Sequence, residues 1–169
     1  MITRESVALA SLTTFKTGGA AAFVIDCESE SDVRLALAFA KERDLPWYVL
    51  GDGSNVLSPD EGFSGVIIRP RLTRLSFDET AEGVIAVAEA GVLWDAFVSE
   101  VCARGLWGVE NLAGIPGTVG AAPIQNIGAY GSDVAETIQW VEALDPVSGT
   151  VERVAARLGR QAAGNSPAF

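Results

Sequence analysis

The residues best suited to bind a ligand lie in two glycine-rich loops. The first is Gly51-Asp52-Gly53-Ser54-Asn55. Its glycines leave room beside the backbone, and consecutive backbone N–H groups can form a concavity that binds phosphate without a formal positive charge. The loop lacks the lysine of a Walker A motif and the third glycine of a Rossmann fingerprint. It is therefore either a phosphate site or a turn in which Asp52 and Asn55 bond their own backbone.

The second loop, Asn111 to Gly131, holds five glycines and two prolines among small apolar residues and contains no acid, base or metal ligand. Glycine removes the Cβ that would hold a ligand away from the backbone, and proline fixes φ in the turns. The pattern favours a backbone that lies against a large flat ligand, with tight packing inside a core as the alternative. A phosphate-binding loop and a loop suited to a heterocycle together predict a dinucleotide such as FAD.

Composition excludes several classes of site. The sequence has no histidine, which rules out a Ser-His-Asp triad, histidine-ligated zinc and a histidyl-linked cofactor. Its two cysteines, Cys27 and Cys102, are too few for a four-cysteine zinc or iron–sulfur site, and we interpret them as reduced, mostly buried thiols. No metal site is expected.

Charge and hydropathy bear on partners and location. A net charge of −10 argues against binding to nucleic acid or to anionic membranes. The N-terminus does not resemble a signal peptide, and no apolar segment reaches the length of a membrane span. We therefore expect a cytoplasmic protein that binds neither nucleic acid nor a membrane.

Hydrophobic periodicity predicts an α+β fold. The first loop follows a predicted strand–helix–strand unit, which places it at the carboxyl end of a strand, where ligands gather. The chain is expected to divide into a first lobe (1–58), a second lobe (59–155) and a tail without periodicity (156–169). The predicted strands are 20–25, a buried 47–50, 65–69, 72–77, 84–88, 138–144 and 150–154, and a turn at 145–149 joins the last two as a hairpin. Two helices are predicted. The first is capped by Ser29 or Ser31 and ends near Asp44, and the second is 93–104, with Leu93, Phe97, Val101 and Cys102 on one face.

Other side chains have structural and functional interpretations. The four tryptophans (Trp47, Trp94, Trp107 and Trp140) are expected in the core or between the lobes. Arg69, Arg71 and Arg74 either form a solvated, salt-bridged strand, which an acidic chain favours, or face an anionic ligand. Lys16 is either a surface charge or a ligand contact.

Three sequence motifs together resemble those of one enzyme family. They are Thr13-Thr14-Phe15-Lys16-Thr17-Gly18-Gly19, the run Leu50-Gly51-Asp52-Gly53-Ser54-Asn55-Val56-Leu57, and the segment from Gly108 through Ile115-Pro116-Gly117-Thr118-Val119-Gly120 to Gly131. In order and spacing they are similar to the N-terminal portion of the UDP-N-acetylenolpyruvoylglucosamine reductases, over roughly residues 7–155. The sequence from Pro123 to Gly131 resembles that of the branch of this family found in enteric bacteria.

The resemblance implies a two-lobed FAD-binding domain of the vanillyl-alcohol-oxidase type, which ends here before the substrate domain. It implies noncovalent FAD, NADPH as co-substrate, and a UDP-sugar substrate in peptidoglycan synthesis, with roles in cell shape and division, in a cytoplasmic monomer. Tyr130 would also lie on the substrate side. The implied FAD-binding residues are Gly51, Asp52, Gly53, Ser54, Asn55 and Val56 at the pyrophosphate, and Ile115, Pro116, Gly117, Thr118, Gly120, Ala121, Asn126, Gly128, Ala129 and Tyr130 at the flavin ring.

The sequence lacks the motifs that carry the catalytic residues of the family. After the strand near Val151 the family carries a tyrosine–arginine motif, which residues 155–169 do not match, and the domain with the proton-donating serine and the glutamate is missing. We therefore assign no catalytic residue to this chain and expect a truncated or frame-shifted reading of the gene, or a partial piece of the protein. The alternatives are a non-catalytic flavin-binding remnant of that enzyme and another oxidase on the same fold.

Overall fold

The computed structural model describes residues 1–155, and its first part is built on a four-stranded sheet. Strand β1 pairs antiparallel with β2, whereas β2 and β3 each pair parallel with β4, giving the order β1-β2-β4-β3. Helix α1 (Glu30–Glu42) connects β2 to β3. The strands are β1 (Ile2–Ala8), β2 (Ala20–Cys27), β3 (Trp47–Val49) and β4 (Phe63–Pro70).

Helix α1 confirms the capping prediction. The Ser29 hydroxyl accepts a hydrogen bond from the backbone N–H of Asp32 at 3.1 Å, which satisfies one of the free donors of the first turn. Ala36 and Ala40 are fully buried against the sheet, in one cluster with Ile25 and Ile68. The small alanine side chains let the helix lie close to the strands.

Strand β3 was expected to be buried, and this prediction is wrong. Each of its three residues is more than 40% exposed, and only Leu50, just after the strand, is buried. The reason is its place in the sheet: β3 pairs with β4 alone and forms an edge. The expected strand–helix–strand unit therefore exists, but β4 lies between β2 and β3.

The second part of the described chain contains three two-stranded antiparallel sheets and helix α2 (Trp94–Ala103). The predicted strand at 72–77 begins three residues later, because Leu72 bonds Gly91 outside the strand pair. The predicted hairpin at residues 138–154 is confirmed. The strand pairs are β5 (Leu75–Thr80) with β6 (Gly83–Ala88), β7 (Gly128–Ala129) with β8 (Ser132–Asp133), and β9 (Trp140–Leu144) with β10 (Val151–Ala155).

Helix α2 buries only part of the expected face: Val101 is buried and Phe97 packs against the core, as predicted. Trp94, Val98 and Val101 point into the core at spacing i, i+4 and i+7, whereas Leu93 and Cys102 are exposed. Trp94 anchors the helix, because its indole N–H donates to the carbonyl oxygen of Leu112 at 2.8 Å. The expectation of a mostly buried thiol is wrong for Cys102.

The expectation that the tryptophans are buried holds for Trp94, which is 2% exposed. It is wrong for Trp107, which is 86% exposed, and for the edge residue Trp47. Trp140 lies between these extremes and packs under the guanidinium of Arg153.

Strand β4 belongs to the first sheet although it follows residue 58. The boundary between lobes 1–58 and 59–155 would thus cut this sheet, and division by sheet membership falls after Pro70. The lobe assignment stays a prediction, and the expected tail at 156–169 lies outside the described residues. Within residues 1–155 no helix is long and apolar enough to cross a membrane, and no group of potential ligand side chains is arranged for a metal ion.

Candidate functional site

The two glycine-rich loops meet in the structure. The Ser54 hydroxyl donates to the carbonyl oxygen of Pro116 at 3.2 Å, and the side-chain amide of Asn55 donates to the side-chain oxygen of Gln125. A Cβ at Gly51 would lie 2.9 Å from the Thr118 hydroxyl oxygen. Residues more than 60 positions apart in sequence thus form one site, directly after the carboxyl end of β3.

The first loop retains backbone donors. Within residues 1–155, none of the N–H groups of residues 51–55 donates a hydrogen bond to a backbone or side-chain acceptor. Nor do the side chains of Asp52 and Asn55 bond the backbone of their own loop, as the turn interpretation required. Consecutive N–H groups left without an acceptor suit an anion such as a pyrophosphate.

A third segment supports this loop from behind. The backbone N–H of Thr14 donates to the carbonyl oxygen of Gly53 at 3.0 Å. Gly53 has φ of +72°, and a Cβ there would lie 2.1 Å from the carbonyl oxygen of Leu12. Only glycine can therefore occupy this position without moving one segment away from the other. Lys16, in the same supporting segment, is exposed with φ of +58°.

The second loop is held by backbone hydrogen bonds on one side. Val119 N–H donates to the carbonyl oxygen of Val92 at 2.8 Å, and the carbonyl oxygen of Gly117 accepts from Trp94 at 3.0 Å. Gly120 is packed tightly, since a Cβ there would lie 2.6 Å from that of Ala90. Among the described residues, a Cβ at Gly117, which has φ of +133°, would have only the Ser54 hydroxyl oxygen within 4 Å, at 3.4 Å. The packing interpretation therefore holds at Gly120, whereas Gly117 has the open backbone that the ligand interpretation requires, and contact with a ligand stays a prediction.

Residues 126–131 form a tight turn that presents Tyr130. The side-chain oxygen of Asn126 accepts from the N–H of Ala135 at 3.2 Å, so it fixes the turn. Tyr130 and Gly131 connect β7 to β8 with φ of +53° and +83°, as in a type I′ turn. A tyrosine in the left-handed region costs about 1 kcal/mol, and this one is 91% exposed. Such an outlier at a candidate site points to a role for the side chain.

Two exposed apolar side chains on the same loops were not predicted from the sequence. Leu57 follows the first loop and Ile124 lies in the second, and both are more than 70% exposed. Trp107, just before the second loop, was predicted to be buried. The signal available was the presence of large apolar residues within glycine-rich segments, which have little core to fill.

One acid lies at the entrance to the second loop. Glu110 begins a 3₁₀ turn, where its own backbone N–H and that of Gly108 donate to its carboxylate and lower its pKa from the ordinary value. Glu110 is thus ionised at neutral pH and is not suited to donate a proton there.

The predicted site residues fall into three groups. Residues 51–56 form the loop rich in free donors, residues 115–121 form the adjoining backbone wall, and residues 126–130 form the turn that carries Tyr130. Free N–H donors beside an open glycine backbone and exposed apolar side chains fit a flavin nucleotide. The contact of each individual residue with FAD stays a prediction.

Comparison with known proteins agrees with this geometry. Residues 21–155 match the family described as the FAD binding domain. The UDP-N-acetylenolpyruvoylglucosamine reductase of Saccharopolyspora erythraea is 43% identical over 150 residues, which are 88% of this chain and 41% of that protein. The enzyme of the same name from Pseudomonas aeruginosa is 42% identical over 159 residues, which are 92% of this chain and 47% of that protein. The chain thus spans less than half the length of these relatives.

Solved structures show the same relationship. The UDP-N-acetylenolpyruvylglucosamine reductase of Thermus caldophilus superposes with a TM-score of 0.75 at 30% identity, covering 92% of this chain and 54% of that one. A VAO-type flavoprotein of Myceliophthora thermophila superposes with a TM-score of 0.64 at 15% identity, over 79% of this chain and 26% of that one, and shows the shared fold. The chain therefore belongs to the FAD binding domain family, and within it corresponds to the N-terminal, FAD-binding portion of the UDP-N-acetylenolpyruvoylglucosamine reductases.

Proposed function

We propose that this chain binds FAD noncovalently and is the flavin-binding part of an NADPH-dependent UDP-N-acetylenolpyruvoylglucosamine reductase of peptidoglycan synthesis. The observation that carries the proposal is the row of backbone N–H groups at residues 51–55 that find no acceptor within residues 1–155, in a loop that contacts the second loop. The family match over residues 21–155 supports the same cofactor.

In this proposal, residues 51–56 hold the pyrophosphate. Backbone donors suit a chain of net charge −10, because they offset phosphate charge without requiring a lysine or arginine at the site. Residues 115–121 and 126–130 line the flavin ring, and their small side chains let the backbone come close. Bound FAD supplies hydride transfer between NADPH and the enolpyruvyl double bond.

Tyr130 lies on the substrate side in this arrangement. The two-residue turn between β7 and β8 fixes the direction in which its ring leaves the backbone, and the ring is free to contact a UDP-sugar. The proposal further places the enzyme in the cytoplasm as a monomer. Reduction of the substrate also requires a proton donor, and we propose that this donor belongs to the portion of the full-length relatives that the chain does not match.

The pyrophosphate assignment is tested by comparing FAD with riboflavin, which has the same ring but no phosphate. Flavin fluorescence titration should show FAD binding at least about tenfold more tightly, since one to two charge-assisted hydrogen bonds are lost with riboflavin. Equal affinities would contradict a role for the first loop. Absence of binding for both flavins would contradict the proposed cofactor.

Turnover separates the flavin-binding role from full catalysis. The isolated chain loaded with FAD is expected to show no NADPH consumption that depends on UDP-N-acetylenolpyruvoylglucosamine. Steady substrate-dependent consumption would contradict the assignment of the proton donor to the missing portion. A flavin-binding chain that stays inactive when supplied with the remaining portion of a relative would instead favour the non-catalytic remnant.

A further inference from the structure

A second charged centre lies on the first sheet, apart from the glycine loops. Three arginines surround the single carboxylate of Asp26. Arg4 reaches its Oδ2 atom at 2.5 Å, Arg69 reaches Oδ1 at 3.2 Å, and the Nε of Arg71 lies 3.6 Å from Oδ1. The sequence favoured a solvated, salt-bridged strand for two of these arginines, whereas the structure gathers them with Arg4 around one acid.

One aspartate cannot satisfy three guanidinium groups. Each guanidinium carries five N–H donors, and the two oxygens of Asp26 offer only about four acceptor positions. The Nε of Arg69 is buried and has no hydrogen-bond partner within residues 1–155. The four side chains together carry two more positive than negative charges, although the whole chain has a net charge of −10.

The excess charge is partly shielded from water. The side chains of Arg69 and Asp26 are 12% and 17% exposed, whereas those of Arg71 and Arg4 are 32% and 40% exposed. Positive charge held in such surroundings is costly unless an anion accompanies it. The more exposed pair leaves a path by which an anion can reach the cluster from solvent.

The position of the cluster also suits a ligand. Asp26 and Arg69 are register partners near the carboxyl ends of the parallel strands β2 and β4. The N–H of Leu50, which precedes the first glycine loop, donates to the carbonyl oxygen of Ile68 at 2.9 Å. The cluster and the first glycine loop therefore lie at the same end of the sheet, the carboxyl end of its parallel strands, where α/β sheets bind ligands.

We propose that Arg4, Arg69 and Arg71 form a binding site for a phosphate group, with Asp26 holding the arginines in place. Planar guanidinium groups match phosphate oxygens with paired, charge-assisted hydrogen bonds. The phosphate belongs either to a free phosphorylated ligand or to the pyrophosphate of the nucleotide at the neighbouring loop, whose charge the arginines would then share with the backbone donors of residues 51–55. The site itself does not depend on whether the chain binds FAD.

The test is a titration of the purified chain with inorganic phosphate, in which the midpoint of thermal unfolding is measured at each concentration. Chloride keeps the ionic strength constant. Phosphate should raise the midpoint of the natural chain. In Arg71→Gln its affinity should fall about tenfold, because one charged hydrogen-bonding group is lost. Arg74→Gln is the matched control: it removes an arginine three residues away that is 81% exposed and pairs with Glu89 instead. Arg4→Gln provides a second variant should Arg71→Gln fail to fold.

Repeating the titration with saturating FAD identifies the source of the phosphate. Stabilisation by phosphate that persists beside FAD, and is weakened only by Arg71→Gln or Arg4→Gln, supports a separate phosphorylated ligand. Phosphate that FAD displaces, together with weaker FAD binding in the same variants, assigns the site to a phosphate of the nucleotide. No stabilisation of the natural chain, or equal phosphate affinity in Arg71→Gln and Arg74→Gln, would overturn the proposal. A failure of the FAD proposal would leave the flavin-free titration unaffected.

Discussion

Replacing Gly53 with alanine tests whether the first loop depends on its contact with the segment behind it. The new Cβ would lie 2.1 Å from the carbonyl oxygen of Leu12, far inside van der Waals contact, and both atoms belong to backbone or are fixed to it. The two segments must then separate, which breaks the hydrogen bond from the Thr14 N–H to the Gly53 carbonyl oxygen.

The magnitude follows from the separate contributions. Alanine at φ of +72° costs about 1 kcal/mol. Loss of the Thr14 hydrogen bond adds about 1 kcal/mol, and the shifted backbone strains the loop further, by about 1 kcal/mol or more. We expect the free energy of unfolding to fall by about 3 kcal/mol, and FAD affinity to fall by at least tenfold because the row of N–H donors is displaced.

Gly105→Ala is the matched control. Gly105 has φ of +70°, almost the same as that of Gly53, but a Cβ there meets no atom of the described residues 1–155 within 4 Å. It should lose only the conformational contribution of about 1 kcal/mol and keep its FAD affinity. Urea unfolding and flavin titration measure both quantities. Equal losses of stability and affinity in the two variants would refute the assignment of the loop.

The remaining predictions concern single side chains. Trp94→Phe should lower the free energy of unfolding by about 2 kcal/mol, because it leaves the buried carbonyl of Leu112 without its donor. Trp107→Phe, at an exposed site, should change it by under about 0.5 kcal/mol. Equal urea midpoints for the two variants would contradict this. Tyr130→Asn should raise stability by about 0.5 kcal/mol, because asparagine tolerates the left-handed conformation better, and an unchanged or lower value would exclude strain at this turn. At pH 8 a thiol reagent should label Cys102 but not Cys27, because burial raises the pKa of the Cys27 thiol to about 11 and keeps it protonated; labelling of both in the folded chain would contradict the structure.

Local signals account for the parts of the fold that were predicted correctly. The Ser29 cap and the apolar period defined α1, and the turn at 145–149 defined the final hairpin. Exposure depended on long-range pairing instead. A short apolar run such as 47–50 suits an edge strand as well as a central one, and only the insertion of β4 decides which it is.

In the candidate site, too, some features follow from local sequence and others from long-range contacts. Glycine content identified both loops, but their contact through Ser54 and Pro116 spans 62 positions and follows from the whole fold. The Asp26 cluster was hidden for the same reason, because its members come from three different strand ends that pairing brings together. In α2, no side-chain cap marks Trp94 as the first helical residue. The sequence therefore offered only the apolar period, which did not determine which residues face the core.

Binding of FAD at the joined loops is tested most directly by the flavin content of the purified chain. Protein saturated with FAD and freed of excess ligand should be yellow, and heat or acid should release about one FAD per chain into solution. Unmodified FAD in the supernatant is the predicted result. A colourless chain that retains no flavin after incubation with FAD would contradict the central claim.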